Sequence, residues 1–145
     1  MVEELLRKTY QVHGGDFDKA GEKAAEIKQI LRDLGLDPSL VRRTVVVAFE
    51  AEMNVVMYAY EGTVTLVLTE KEINLEIADE GPGIEDIELA LTEGFSTASD
   101  QMREMGFGFG MGLPNIRKNA DEFSLVSEVG VGTRVFVTMR LDSNG

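Results

Sequence analysis

Hydrophobic and polar positions divide the chain into segments of two periods. Between Asp16 and Leu34, Ala20, Ala24, Ile27, Leu31 and Leu34 recur at three- and four-residue steps, the stripe of an amphipathic helix. Gly35 follows where a left-handed cap is expected. Asp37-Pro38-Ser39 opens a second helix, with Asp37 as its cap and Pro38 at the first helical position, and the pattern carries it to about Tyr58. Its Val45-Val46-Val47-Ala48-Phe49 run is apolar nearly all round, which predicts a centrally buried helix.

Strand periodicity then takes over. Thr9 to His13 is a short early strand. Val64, Leu66 and Leu68 alternate with threonines, Ile73, Leu75 and Ile77 repeat the alternation, and Glu70-Lys71-Glu72 joins the two as a hairpin. A short helix is expected from about Ile84 to Leu91, and another from Leu113-Pro114 to about Ala120. Phe123 to Glu128 and Arg134 to Leu141 close the chain as a second hairpin turned at Gly130-Val131-Gly132. The sum is one α+β domain. It is expected as a two-layer sandwich, a mixed, mainly antiparallel sheet with helices packed on one face. Between its elements, Thr92 to Gly112 is polar, glycine-rich and without either period, and a loop this long in a small domain is usually functional or mobile.

Composition narrows the class. The 145 residues suit one domain with a hydrophobic core, 43% hydrophobic and 28% charged. No stretch approaches the ~20 apolar residues of a membrane span. The N-terminus lacks the basic and apolar regions of a secretion signal. Cysteine is absent, which excludes disulfides, thiolate zinc sites and cysteine nucleophiles, and a cytosolic location is expected. The net charge of −12 disfavours nucleic-acid binding and would suit a basic partner surface, although acidity also serves solubility.

Three clusters carry candidate chemistry. Glu50 and Asn54, four residues apart, share a face of an otherwise apolar helix. Buried without partners, such groups cost roughly 1–3 kcal/mol each. An Asn oxygen on Mg²⁺ and a Glu taking a proton from a nucleophile would satisfy both, and exposure to water on the wet side of the helix would do so too. Glu52 sits on a different face. Asp79-Glu80-Gly81-Pro82-Gly83 places a carboxylate at a strand end, suited to an exocyclic amine such as that of adenine, with glycines that allow close approach of a flat ring; an ordinary strand-to-helix turn has the same composition. In Gly106-Phe107-Gly108-Phe109-Gly110-Met111-Gly112-Leu113-Pro114, glycines alternate with bulky residues up to a helix start, where free backbone amides can cradle phosphates. Neither a dinucleotide-binding fingerprint nor a P-loop fits this spacing.

These boxes, Glu-x-x-x-Asn, Asp-x-Gly-x-Gly and Gly-x-Gly-x-Gly, with Gly130-Val131-Gly132-Thr133 after them, resemble in order and distance the ATP-binding domain shared by gyrase, Hsp90, histidine kinases and MutL, the GHKL or Bergerat fold. Within it the chain is similar to the bacterial anti-sigma-factor serine/threonine kinases and switch kinases, over about residues 10 to 141. The resemblance implies Mg·ATP binding under a lid at about 92–112, with Glu50 as general base and Asn54 as magnesium ligand. It implies Asp79 on the adenine amino group, Gly81 and Gly83 beneath the base, and Gly108, Gly110 and Gly112 over the phosphates. Thr133 would help through water to hold adenine against Asp79. It further implies a regulatory protein as substrate, a sigma factor as a second partner, and a homodimer built on the first strand and helix.

The chain departs from histidine kinases at Glu50, where they carry Asn, and at Met57, where they carry a basic residue that Arg103 could replace. His13 is the only histidine and no phosphoacceptor domain precedes the fold, which disfavours histidine autophosphorylation. Ser96, Thr97 and Ser99 are lid hydroxyls. Kinase action and an ATP-gated interaction without phosphotransfer need the same pocket, so both remain expectations, beside a nucleotide-independent interaction protein.

Overall fold

The computed structural model describes residues 3–92 and 112–141. Its strands are β1 (Glu4–His13), β2 (Glu61–Thr69), β3 (Glu72–Glu80), β4 (Glu122–Glu128) and β5 (Gly132–Arg140). The helices are α1 (Glu22–Asp33), α2 (Pro38–Tyr58), α3 (Ile87–Ala90) and α4 (Gly112–Asn119). The strands form one sheet in the order β1-β2-β3-β5-β4, and every pairing is antiparallel. The fold is thus α+β as expected, without the parallel pair that a mixed sheet would hold among the described strands.

One face of the sheet carries Val64, Leu66 and Leu68 of β2, Ile73, Leu75 and Ile77 of β3, and Val135, Val137 and Met139 of β5, all in the core with Ile27, Leu31, Val47, Val55 and Ile116 of the helices. Removing each such side chain from water contributes about 1.5–3 kcal/mol. Helix α2 packs against α1, α4 and strands β1 to β3. It is not buried all round, however. Val47 and Ala48 are enclosed, whereas Phe49 remains 38% exposed, its ring edge beside Gly21 before α1. The other sheet face mixes polar groups with Val67, Val126 and Phe136; on it the Thr9 and Thr65 hydroxyls lie 3.0 Å apart and the Thr138 hydroxyl donates to Asn74 at 2.7 Å. No described helix is long and apolar enough to cross a membrane.

The local signals at the second helix hold. Gly35 has φ +73° just past α1, and the Asp37 carboxylate accepts from the Leu40 amide at 3.2 Å while Pro38 opens α2. The start of α1 differs from expectation. Phe17–Lys19 form a separate 3-10 turn, Ala20 is extended, Gly21 takes φ +94°, and α1 begins only at Glu22. The reason lies in α2. Glu52, 1% exposed, accepts hydrogen bonds from the amides of Gly21 (3.0 Å), Lys23 (3.4 Å) and Ala24 (3.0 Å). It does for α1 what an N-cap side chain would, from another helix, and the left-handed Gly21 turns the chain so that those amides face it.

Candidate functional site

Helix α2 brings Glu50 and Asn54 to the start of α4. Both are half-buried, and a methyl group added at Gly112 would lie 3.0 Å from Asn54 Oδ1 and 3.2 Å from Glu50 Oε2. The two side chains therefore converge on the N-terminus of α4, where glycine alone leaves a space. Burial pushes the Glu50 carboxyl above its ordinary range.

Asp79 ends the core-facing row of β3 and is half-buried. Burial raises its pKa, opposed by the Thr133 amide, which donates to Asp79 Oδ1 at 3.1 Å. Gly132 lets β5 approach this closely, since a Cβ there would run into the Asp79 carbonyl oxygen. Gly81 lies against Ala59, at the end of α2, with room for a Cβ only 3.1 Å from its Cα. Gly83, at φ +76°, turns the chain against the Glu128 carbonyl. The Asp-x-Gly-x-Gly turn is tied to the β4–β5 hairpin through Gly81 N to Val131 O (3.1 Å), Gly130 N to Pro82 O (2.8 Å) and Ile84 N to Ser127 Oγ (2.8 Å).

The two groups lie at the same end of α2. A Cβ at Gly62 would sit 3.1 Å from both Asp79 Cβ and Val55 Cγ1, so Asp79 flanks the residue that follows Asn54. Glu50, Asn54 and Gly112 thus form one group, and Asp79, Gly81, Gly83 and Thr133 a second beside the end of the same helix. Gly108 and Gly110 lie outside the described residues, as do Arg103, Ser96, Thr97 and Ser99. His13 ends β1, exposed and opposite Glu61. Thr133 contributes its amide to Asp79, while its hydroxyl pairs at 2.8 Å with that of Ser127, a residue the motifs do not mark. Glu52 was also missed as a structural group; its only signal was a carboxylate in an apolar helix, and its partners are about thirty residues away.

The donor set at the α4 terminus can be tested for a divalent cation. Asn54 supplies one neutral hard oxygen, Glu50 one carboxylate, and the described residues hold no group of three or more acidic or histidine ligands. That suits magnesium, which takes few protein ligands and keeps water and phosphate oxygens around it.

Residues 40–143 match the histidine kinase-, DNA gyrase B- and HSP90-like ATPases, and the chain belongs to that family. It is similar to the serine/threonine-protein kinase RsbT of Bacillus subtilis, 30% identical over 112 residues that span 74% of this chain and 78% of RsbT. It is similar too to the anti-sigma F factor of Caldanaerobacter subterraneus, 32% identical over 100 residues and 66% of each chain. Its fold is shared with a chain of the SiaB-SiaC complex of Pseudomonas aeruginosa, with a TM-score of 0.62 at 12% identity, over 94% of this chain and 89% of that one.

Proposed function

We propose that this ATP-binding regulator is a serine/threonine protein kinase of the partner-switching kind, which transfers the γ-phosphoryl of Mg·ATP to a small regulatory protein. The observation that carries the reading is the convergence of Glu50 and Asn54 on the glycine that opens α4. Backbone amides at a helix start attract phosphate, and a carboxylate beside them is placed to act on a hydroxyl brought to the same spot. Asn54 would hold the magnesium ion, which supplies charge neutralisation at the triphosphate. Asp79 would accept from the adenine amino group, its carboxylate held in place by the Thr133 amide. Gly81 and Gly83 let the turn pack closely on Ala59 and Glu128, and that turn would lie beneath the base.

In the transfer, the partner's hydroxyl oxygen forms a bond to the γ-phosphorus as the bond to the β,γ-bridging oxygen breaks. ADP leaves with that electron pair, and the hydroxyl proton passes to Glu50. The raised proton affinity of Glu50 favours this acceptance. The glycines of the lid, Gly108 and Gly110, would join Gly112 over the phosphates. The similarity to the kinase RsbT and to anti-sigma F factors supports a regulatory protein as substrate and a sigma factor as second partner; the substrate would be of anti-anti-sigma type, and self-association would use β1 and α1.

Incubation with γ-labelled ATP and such a partner tests this. Label is expected on a serine or threonine of the partner, lost in Glu50→Ala while ATP binding persists. ATP binding with no transfer in the wild type overturns the kinase reading and leaves an ATP-gated interaction module.

A further inference from the structure

The four most exposed large apolar side chains among the described residues gather at one end of the sheet. They are Tyr60 (74%), Val126, Val129 and Val131 (59% each). Backbone hydrogen bonds make them neighbours. The Tyr60 amide donates to Glu80 O, the next amide along, that of Gly81, donates to Val131 O, and Gly83 lies against Val129. Val126 stands on the outer face of β4 two residues before Glu128, which pairs with Gly132. Single exposed valines are ordinary, but a cluster of the most exposed apolar groups on one end marks a contact surface.

The charge around this cluster is one-sided. Glu61 and Glu80 pair across β2 and β3 beside Tyr60, Glu128 precedes Val129, and Glu85, Asp86 and Glu88 follow the Gly83 turn. All six carboxylates are exposed. Among the described residues, Arg134 stands opposite Val126 and His13 opposite Glu61. Two copies of this end facing each other would set carboxylate against carboxylate, which disfavours a second copy as its occupant.

We infer that this end of the sheet, centred on Tyr60, Val129 and Val131, is a docking surface for a partner-protein segment that presents apolar side chains among lysines or arginines. The apolar centre would exclude water from the anchors while the carboxylate rim steers and orients the basic segment. The surface is distinct from the Glu50–Asn54 convergence on α4, and the inference holds whether or not phosphotransfer occurs.

The test uses the full chain and three synthetic peptides of equal length, alternating Leu-Lys, Ser-Lys and Leu-Glu, with binding followed by fluorescence anisotropy and mapped by amide chemical shifts. The Leu-Lys peptide is expected to bind at least about tenfold more tightly than either of the others, with the largest shifts at Tyr60, Gly81, Val129 and Val131. Val129→Ser/Val131→Ser, on an exposed turn and checked for an unchanged circular dichroism spectrum, is expected to bring Leu-Lys down to the Ser-Lys level. Equal binding of Leu-Lys and Ser-Lys, shifts centred elsewhere, or undiminished binding by the double variant would each overturn the proposal. Self-association that the double variant abolishes would overturn it in favour of a second copy.

Discussion

Replacing Glu52 with alanine should destabilise the protein severely, although Glu52 is no part of the proposed pocket. The side chain is 1% exposed and takes two good hydrogen bonds, from Gly21 and Ala24 at 3.0 Å, and a longer one from Lys23 at 3.4 Å. Truncation leaves these amides, one buried and two part-buried, without their acceptor, at about 1–3 kcal/mol for each well-made bond. The vacated volume and the lost interaction with the α1 dipole add to this. Together they give roughly 3 kcal/mol or more, a large share of the ~5–15 kcal/mol that holds a typical domain folded. Glu52→Gln keeps one acceptor oxygen and should lose about half as much. Equilibrium urea unfolding followed by circular dichroism reads both, and amide hydrogen exchange at Gly21 and Ala24 shows whether α1 frays from its start. A loss below about 1 kcal/mol for Glu52→Ala, with unchanged exchange at those amides, would refute the claim that α2 caps α1.

The space at Gly112 is predicted to be needed for the ligand rather than for the fold. Gly112→Val should leave the unfolding free energy within about 1 kcal/mol of the wild type yet weaken Mg·ATP binding at least about tenfold by calorimetry, since its side chain would press on Asn54 and Glu50. Burial raises the folded-state pKa of both Glu50 and Asp79, so each contributes stability that is fully present below its unfolded pKa and is lost as pH rises through its folded value. Glu50→Gln and Asp79→Asn should therefore flatten the fall in stability across the mildly acidic range and leave the ligand-free protein at least as stable as wild type at neutral pH. Thermal unfolding between pH 4 and 8 checks this, and a wild-type curve that rises through that window on account of these groups would contradict it.

What could be read from the residues was what depends on near neighbours. Asp37, Pro38 and Gly35 mark helix ends through their own side chains and φ preferences, and their marks hold. The alternation of Val64, Leu66 and Leu68 with threonines fixes which face of β2 meets the helices, whatever pairs with it. The break at Gly21 was invisible because the carboxylate that stabilises it belongs to a residue 31 positions away. The insertion of β5 between β3 and β4, which makes the sheet wholly antiparallel, likewise rests on a long-range pairing that no local period encodes. At the site, Glu50 and Asn54 stood out as polar groups on an otherwise apolar helix, and Asp79 as a carboxylate at a strand end before two glycines. Ser127 did not, because its partners Ile84 and Thr133 come together only when the hairpin folds against the Gly83 turn.

In the proposed pocket one nucleotide is held at once by Asp79 and Asn54. Isothermal calorimetry with ATP, with and without magnesium, on the wild type, Asp79→Asn and Asn54→Ala measures it most directly. Single-site binding is expected for the wild type. Asp79→Asn should weaken it by about a hundredfold or more through loss of the adenine contact, and Asn54→Ala should lose the enhancement that magnesium provides. Undiminished, magnesium-enhanced binding by both folded variants would contradict the claim.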